Sequence, residues 1–255
     1  MLHIRSVQFA MLLLAGAFLA APAAAQQQPP VAPPGPYKAV PLTLPKPLAD
    51  PSFEAFRKQI GDAARKRDRA ALGKLVVAQG FFWERQGGDG AIKKNSGIDN
   101  LANALGLNNK DGAGWDMLAA YTDDPTASPS PDHKGALCTP GDPEFKGHDL
   151  EALMQKTKTE VPDWAFPVSD GVEVRASAQS NAPVSDKLGL YFVRVVPDPS
   201  PAAAVASVVR IVMPSGKTGY VSIDMIAPIG NDQLCYVKNA GGWKIGGYVG
   251  TGDAQ

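Results

Sequence analysis

The spacing of apolar residues changes once along this chain, and that change limits the fold more than any other feature. Before about residue 168 the apolar positions recur at helical intervals; from Gly171 onward they alternate with a period of two. Phe53, Phe56, Ile60, Ala63 and Ala64 mark a first helix, started by Asp50-Pro51. Asp68 caps a short second helix from Arg69 to Ala78, and further helical stretches read at Gly97 to Leu107, Trp115 to Tyr121 and Asp149 to Lys156. Phe81-Phe82-Trp83 suits a buried strand, and a long loop rich in Pro, Ser and Asp spans residues 122 to 148. The second half reads as short strands: Val172 to Arg175, Leu188 to Val196, Val205 to Met213, and a closing hairpin of Leu234 to Lys238 with Trp243 to Val249. The expected fold class is therefore α+β, with a helical domain at 50–168 followed by a small barrel plus hairpin at 169–253.

Two segments precede these halves. One Arg, an apolar run from Val7 to Ala21 and a small-residue stretch ending Ala23-Ala24-Ala25 have the layout of a secretory signal peptide over residues 1–25. Nine prolines between residues 26 and 51 predict a Pro-rich, disordered tether over 26–49. Removing residues 1–25 removes one Arg and no acid, which leaves 24 basic and 25 acidic side chains. A near-neutral chain has no global field with which to hold a phosphate backbone, so nucleic acid is not an expected partner. Nothing after the signal is long and apolar enough to span a membrane, and a periplasmic or secreted monomer is expected.

Val172-x-Val174-Arg175, Asn181-Ala182-Pro183-Val184, Lys187-Leu188-Gly189 and the run Val209 to Val221, with its turn Pro214-Ser215-Gly216-Lys217-Thr218-Gly219, resemble a bacterial SH3 domain over about residues 170 to 229. Tyr220 stands where such domains usually carry Trp, the strand from Val205 lacks its opening Trp, and Pro197 to Pro201 lengthens the preceding loop. Together with the closing Gly-Gly-Trp-Lys-Ile hairpin, the whole chain is similar to a group of exported bacterial SH3-like proteins with a helical N-terminal region. The resemblance implies architecture and location, and lends no activity.

No motif selects a catalytic residue. A zinc site drawn from His133, Cys138 and His148 lacks a framework among Pro and Gly, so no metal and no cofactor is expected. Neither cysteine matches a Cys/His nucleophile pair: Thr139-Pro140-Gly141 after Cys138 cannot open a helix, and no His follows Cys235. Two cysteines in an exported chain instead predict a disulfide between Cys138 and Cys235. The functional expectation is non-catalytic binding of a peptide, a cell-wall component or an envelope protein, with Tyr191 and Tyr220 as exposed aromatics and Arg175 as an anion contact. The rival expectations are a cell-envelope enzyme with its site between the halves, and an assembly factor acting through the Pro-rich tether.

Overall fold

The computed structural model describes residues 35–85, 88–198 and 207–250; the expected signal peptide and residues 26–34 lie outside them. Helix α1 (Pro51–Arg65) starts where Asp50 accepts hydrogen bonds from Ser52 N at 2.8 Å and Phe53 N at 3.3 Å. Phe53, Phe56, Ile60, Ala63 and Ala64 are buried along one stripe. Each large one contributes on the order of 1.5–3 kcal/mol relative to exposure. After α1 the chain reverses through Arg67, and Asp68 caps α2 (Arg69–Gly73) by accepting from Ala71 N at 2.9 Å. Strands β2 (Phe82–Arg85) and β3 (Gly88–Asp89) follow, then α3 (Gly97–Leu105), stopped by left-handed Gly106, and α4 (Ala113–Asp123). Leu101, Leu105 and Leu118 complete an apolar core with the α1 stripe.

That core rests on a six-stranded sheet. Within the loop expected at 122–148 lie three short strands, β4 (Ser128–Pro129), β5 (Ala136–Thr139) and β6 (Glu144–Phe145). The closing hairpin is β14 (Gln233–Asn239) and β15 (Gly242–Val249), and the sheet order is β3-β2-β15-β14-β5-β4. The hairpin that the sequence groups with the strands after residue 169 is thus bonded to the first half of the chain. Its apolar face explains this: Leu234, Tyr236, Ile245 and Tyr248 join Phe53, Trp83 and Leu101 in one core. Strand β15 runs parallel to β2, and a Cβ on Gly247 would stand 2.4 Å from the Phe82 ring, so this crossing needs glycine. On the other side of β14, Cys235 lies directly opposite Cys138 of β5 and the two form a disulfide with Cα atoms 4.0 Å apart.

The remaining strands are β7 (Trp164–Pro167), β8 (Val172–Arg175), β9 (Val184–Leu188), β10 (Val193–Val195), β11 (Val208–Val212), β12 (Thr218–Ser222) and β13 (Ile226–Pro228). They form one sheet in the order β13-β7-β10-β11-β12-β8-β9, and the barrel expected here does not close. Strand β7 buries side chains on both faces, so the sheet is packed from two sides instead of curling around one core. Ala165, Val193, Ile211, Val174 and Val221 pack on one face, while Trp164, Phe166 and Val212 on the other meet α5 (Gly147–Thr157) through Leu150 and Leu153. Among the described residues there are five α-helices, and the third sheet is the pair β1 (Leu42–Thr43) and β6.

From Gly35 on, the segment expected as a disordered tether is instead a packed strap. Tyr37, Val40 and Leu42 are buried against Trp164 and Phe192, and the Tyr37 hydroxyl donates to Val212 O at 2.8 Å. Backbone bonds tie Tyr37 to Pro214, Leu42 to Leu190 and Leu48 to Pro125, so the strap touches both large sheets. Prolines fix its extended shape without needing donors, and the alternating Val40, Leu42 and Leu44 supply the apolar side.

Candidate binding site

On the outer face of the seven-stranded sheet, α5 and the strap pack over Trp164, Phe166, Phe192 and Val212. Beyond that cover, cross-strand register sets Tyr220 of β12 opposite Arg210 of β11 on one side and Arg175 of β8 on the other. Side chains opposed in this way stand roughly 5 Å apart at Cβ and share a face. Arg194 of β10, opposite Val212, lies on the same face one diagonal step from Arg210. All four side chains are half-buried. The structure therefore brings two of the three expected contact residues together and adds two arginines that the sequence reading omitted. Their signal was available: Arg194 and Arg210 occupy the alternate positions between core-facing Val193, Val195, Val209 and Ile211.

Each group in the row has a definite environment. The Arg175 Nη1 donates to Ala182 O at 2.9 Å and Ser180 O at 3.2 Å, and Nη2 reaches Glu173 at 3.4 Å, so this guanidinium also pins the loop after β8. The Arg210 Nη1 donates to Pro197 O at 3.4 Å. The Arg194 Nε is buried and has no hydrogen-bond partner among the described residues. Burial, and secondarily the hydrogen-bonded Asp198 carboxylate, raise the Tyr220 phenol above its ordinary value, so it is neutral at physiological pH. Tyr191, the third expected residue, sits apart from the row. It bridges to Pro41 of the strap and packs against the inner core beside Gly189.

A second concavity, of about 660 Å³, opens where the strap leaves its pairing with β6 and runs on to Pro47, which bridges to Thr126 just before β4. Pro45, Pro47, Pro129, Pro131 and Pro143 form its walls, with Leu44, Leu48 and Ala127 between them. Asp142 and Glu144 face it from one side and Lys46 from the other. The Asp142 backbone N donates to Ser128 Oγ at 3.0 Å, and its carboxylate accepts from Gln233 Nε2, also at 3.0 Å. Burial raises the Asp142 carboxyl above its ordinary value, against the lowering effect of the Gln233 bond.

The groups weighed for catalysis or metal binding are used otherwise. Cys138 and Cys235 are fully buried in their disulfide. The His133 ring stacks on Phe82 with centroids 3.6 Å apart and sets Nε2 3.2 Å from Glu84, while His148 pairs with Asp149 on the surface. Among the described residues no group of three or more His, Cys, Asp and Glu is arranged to hold a metal ion, and no helix is long and apolar enough to cross a membrane. The basic run from Arg65 to Arg69 carries ion pairs to Asp62, Asp123 and Asp99. No protein-family model matches this chain, and neither a curated protein nor a solved structure matches it.

Proposed function

We propose that this chain is an exported, non-catalytic binding module that holds a carboxylate-bearing peptide, of the kind found in cell walls, on the row formed by Arg194, Arg210, Tyr220 and Arg175. The observation that carries the reading is the register itself, which sets one neutral phenol between two half-exposed guanidinium groups on one face of the sheet. An arginine fork matches a carboxylate in two hydrogen bonds, and the tyrosine ring offers a flat apolar contact beside it. Location outside the cytosol is part of the proposal, and the disulfide is compatible with it because such bonds persist in oxidising compartments. So is the reading of the seven-stranded sheet as an opened SH3-like element, favoured by the tight β11–β12 hairpin turning at Gly216. Tyr191 is left as a packing residue that positions the strap.

The test is a pull-down of the chain with purified peptidoglycan at low and high salt, comparing wild type with an Arg210→Ala, Tyr220→Ala double variant. Retention that falls with salt and disappears in the variant is expected. Equal retention of the variant, or none for wild type, overturns the reading.

A further inference from the structure

The proline-walled groove does not take part in the arginine row, and its chemistry is the opposite. At about 660 Å³ it lies in the size range of small-ligand sites. Its five prolines fix their own backbone, so the walls have little freedom left to lose when something binds. Proline also lacks an N–H, so the proline walls add no donors of their own, and the charged acceptors at the groove are the carboxylates of Asp142 and Glu144, with Lys46 the one cation. Neither Asp142 nor Glu144 makes an ion pair among the described residues. Asp142 is also held in place: the Gln233 amide that donates to it is itself fixed by a 2.7 Å bond to Pro140 O.

A groove that offers acceptors and flat apolar rings selects a ligand that brings donors and a flat ring of its own. Proline-rich peptides bind grooves lined by aromatic side chains. The same contact works with the partners exchanged, the protein supplying the prolines and the ligand the aromatic ring. We propose that the groove between the strap, β4 and β6 is a docking site for an extended peptide segment carrying an aromatic side chain next to a lysine or arginine. The ring lies against the prolines, and the cation donates to Asp142 and Glu144 through charge-assisted hydrogen bonds. The ammonium or guanidinium group supplies the counter-charge that neither carboxylate has among the described residues. Lys46, on the strap, repels a second cation and helps fix the direction of the segment.

The probes are three short peptides, acetylated and amidated at their ends, with a central Trp-Lys, Trp-Glu or Ala-Lys pair, titrated into the chain and followed by backbone amide shifts and calorimetry. The Trp-Lys peptide is expected to shift the amides of residues 43–48 and 127–130, and to bind at least ~10-fold more tightly than either control, a difference of about 1.4 kcal/mol. Asp142→Asn and Glu144→Gln should each weaken Trp-Lys binding severalfold, with thermal unfolding confirming that each variant is folded. The Arg210→Ala, Tyr220→Ala variant should bind it like wild type, which separates this site from the arginine row. Equal binding of the Trp-Glu peptide, no binding at millimolar concentration, or loss in the arginine-row variant overturns the proposal. If Asp142→Asn does not fold, the three-peptide comparison on wild type decides alone.

Discussion

The two large sheets solve the same problem with different means. The six-stranded sheet lies under the α1–α4 helices, and a disulfide joins two of its strands across a sequence separation of 97 residues. The seven-stranded sheet has no covalent tie among the described residues. It is held by α5 and by a strap of extended chain packed on one face. The difference shows where each region can spare surface. The helices occupy one face of the six-stranded sheet, whereas the strap runs along the margin of both sheets and bounds the groove at β4 and β6.

The largest expected effect removes the staple. Changing both cysteines to Ala should cost up to about 4–5 kcal/mol by the loop-entropy relation, measured by denaturant unfolding with and without reductant. If the two sheets melt together the loss appears in one transition; if the comparison between them is thermodynamic as well as structural, the six-stranded sheet melts first. The matching attack on the other sheet is Trp164→Ala. This indole is fully buried, donates to Thr159 Oγ1 at 2.9 Å and meets the Tyr37 ring edge-on, so its loss should cost about 3–5 kcal/mol and free the strap to proteolysis.

Alkaline pH should attack both sheets at once. Burial pushes the Tyr121 phenol up to about 12, burial with Tyr121 and Asp232 close by pushes Tyr248 higher still, and burial raises Tyr37 of the strap. A phenol whose folded pKa exceeds its unfolded value of about 10 stabilises the fold fully below that pH, and the contribution is lost as pH rises through the folded value. Unfolding should therefore set in above pH 10 with a cooperative rise in phenolate absorbance; gradual titration of a folded chain would contradict these burials. A smaller effect concerns a single hydroxyl. The Tyr236 hydroxyl is fully buried with Thr139 as its nearest polar side chain, so Tyr236→Phe should change stability by no more than about 1 kcal/mol in thermal melts. The smallest is Lys158→Gly at the end of α5, where φ is 53°: relief of the left-handed conformation should add roughly 0.5–1 kcal/mol on the strap's side of the molecule.

The sequence discloses the helices well because their signals are local. Asp50, Asp68 and Ser96 cap where their neighbours need caps, and the apolar stripe of α1 is readable without any partner. The disulfide was legible for a different reason, since two cysteines in a chain read as exported leave one pairing. What local reading missed depends on distant segments. Nothing near Gly247 announces that the Phe82 ring will lie across it, and the alternation in β15 is the same whichever sheet it joins. The strap was hidden by its prolines, which mark extended chain equally well in solvent or packed against Trp164. In the candidate site, Tyr220 and Arg175 could be named singly, but their being neighbours across two strands is a fact of register. The groove could not be read at all, because its walls come from three stretches up to about a hundred residues apart.

The strap also orders events in time. Synthesis makes Tyr37 early, yet the carbonyls that accept its hydroxyl belong to residues 155 and 175 positions later. Strand β2 waits longer, since its parallel partner is Gly247 to Val249. The earliest residues of the described fold are thus among the last to find their places: the seven-stranded sheet is not finished before β13 exists, nor the six-stranded one before β15. Long sequence separations of this kind slow closure, because each sheet must bring together segments more than a hundred residues apart.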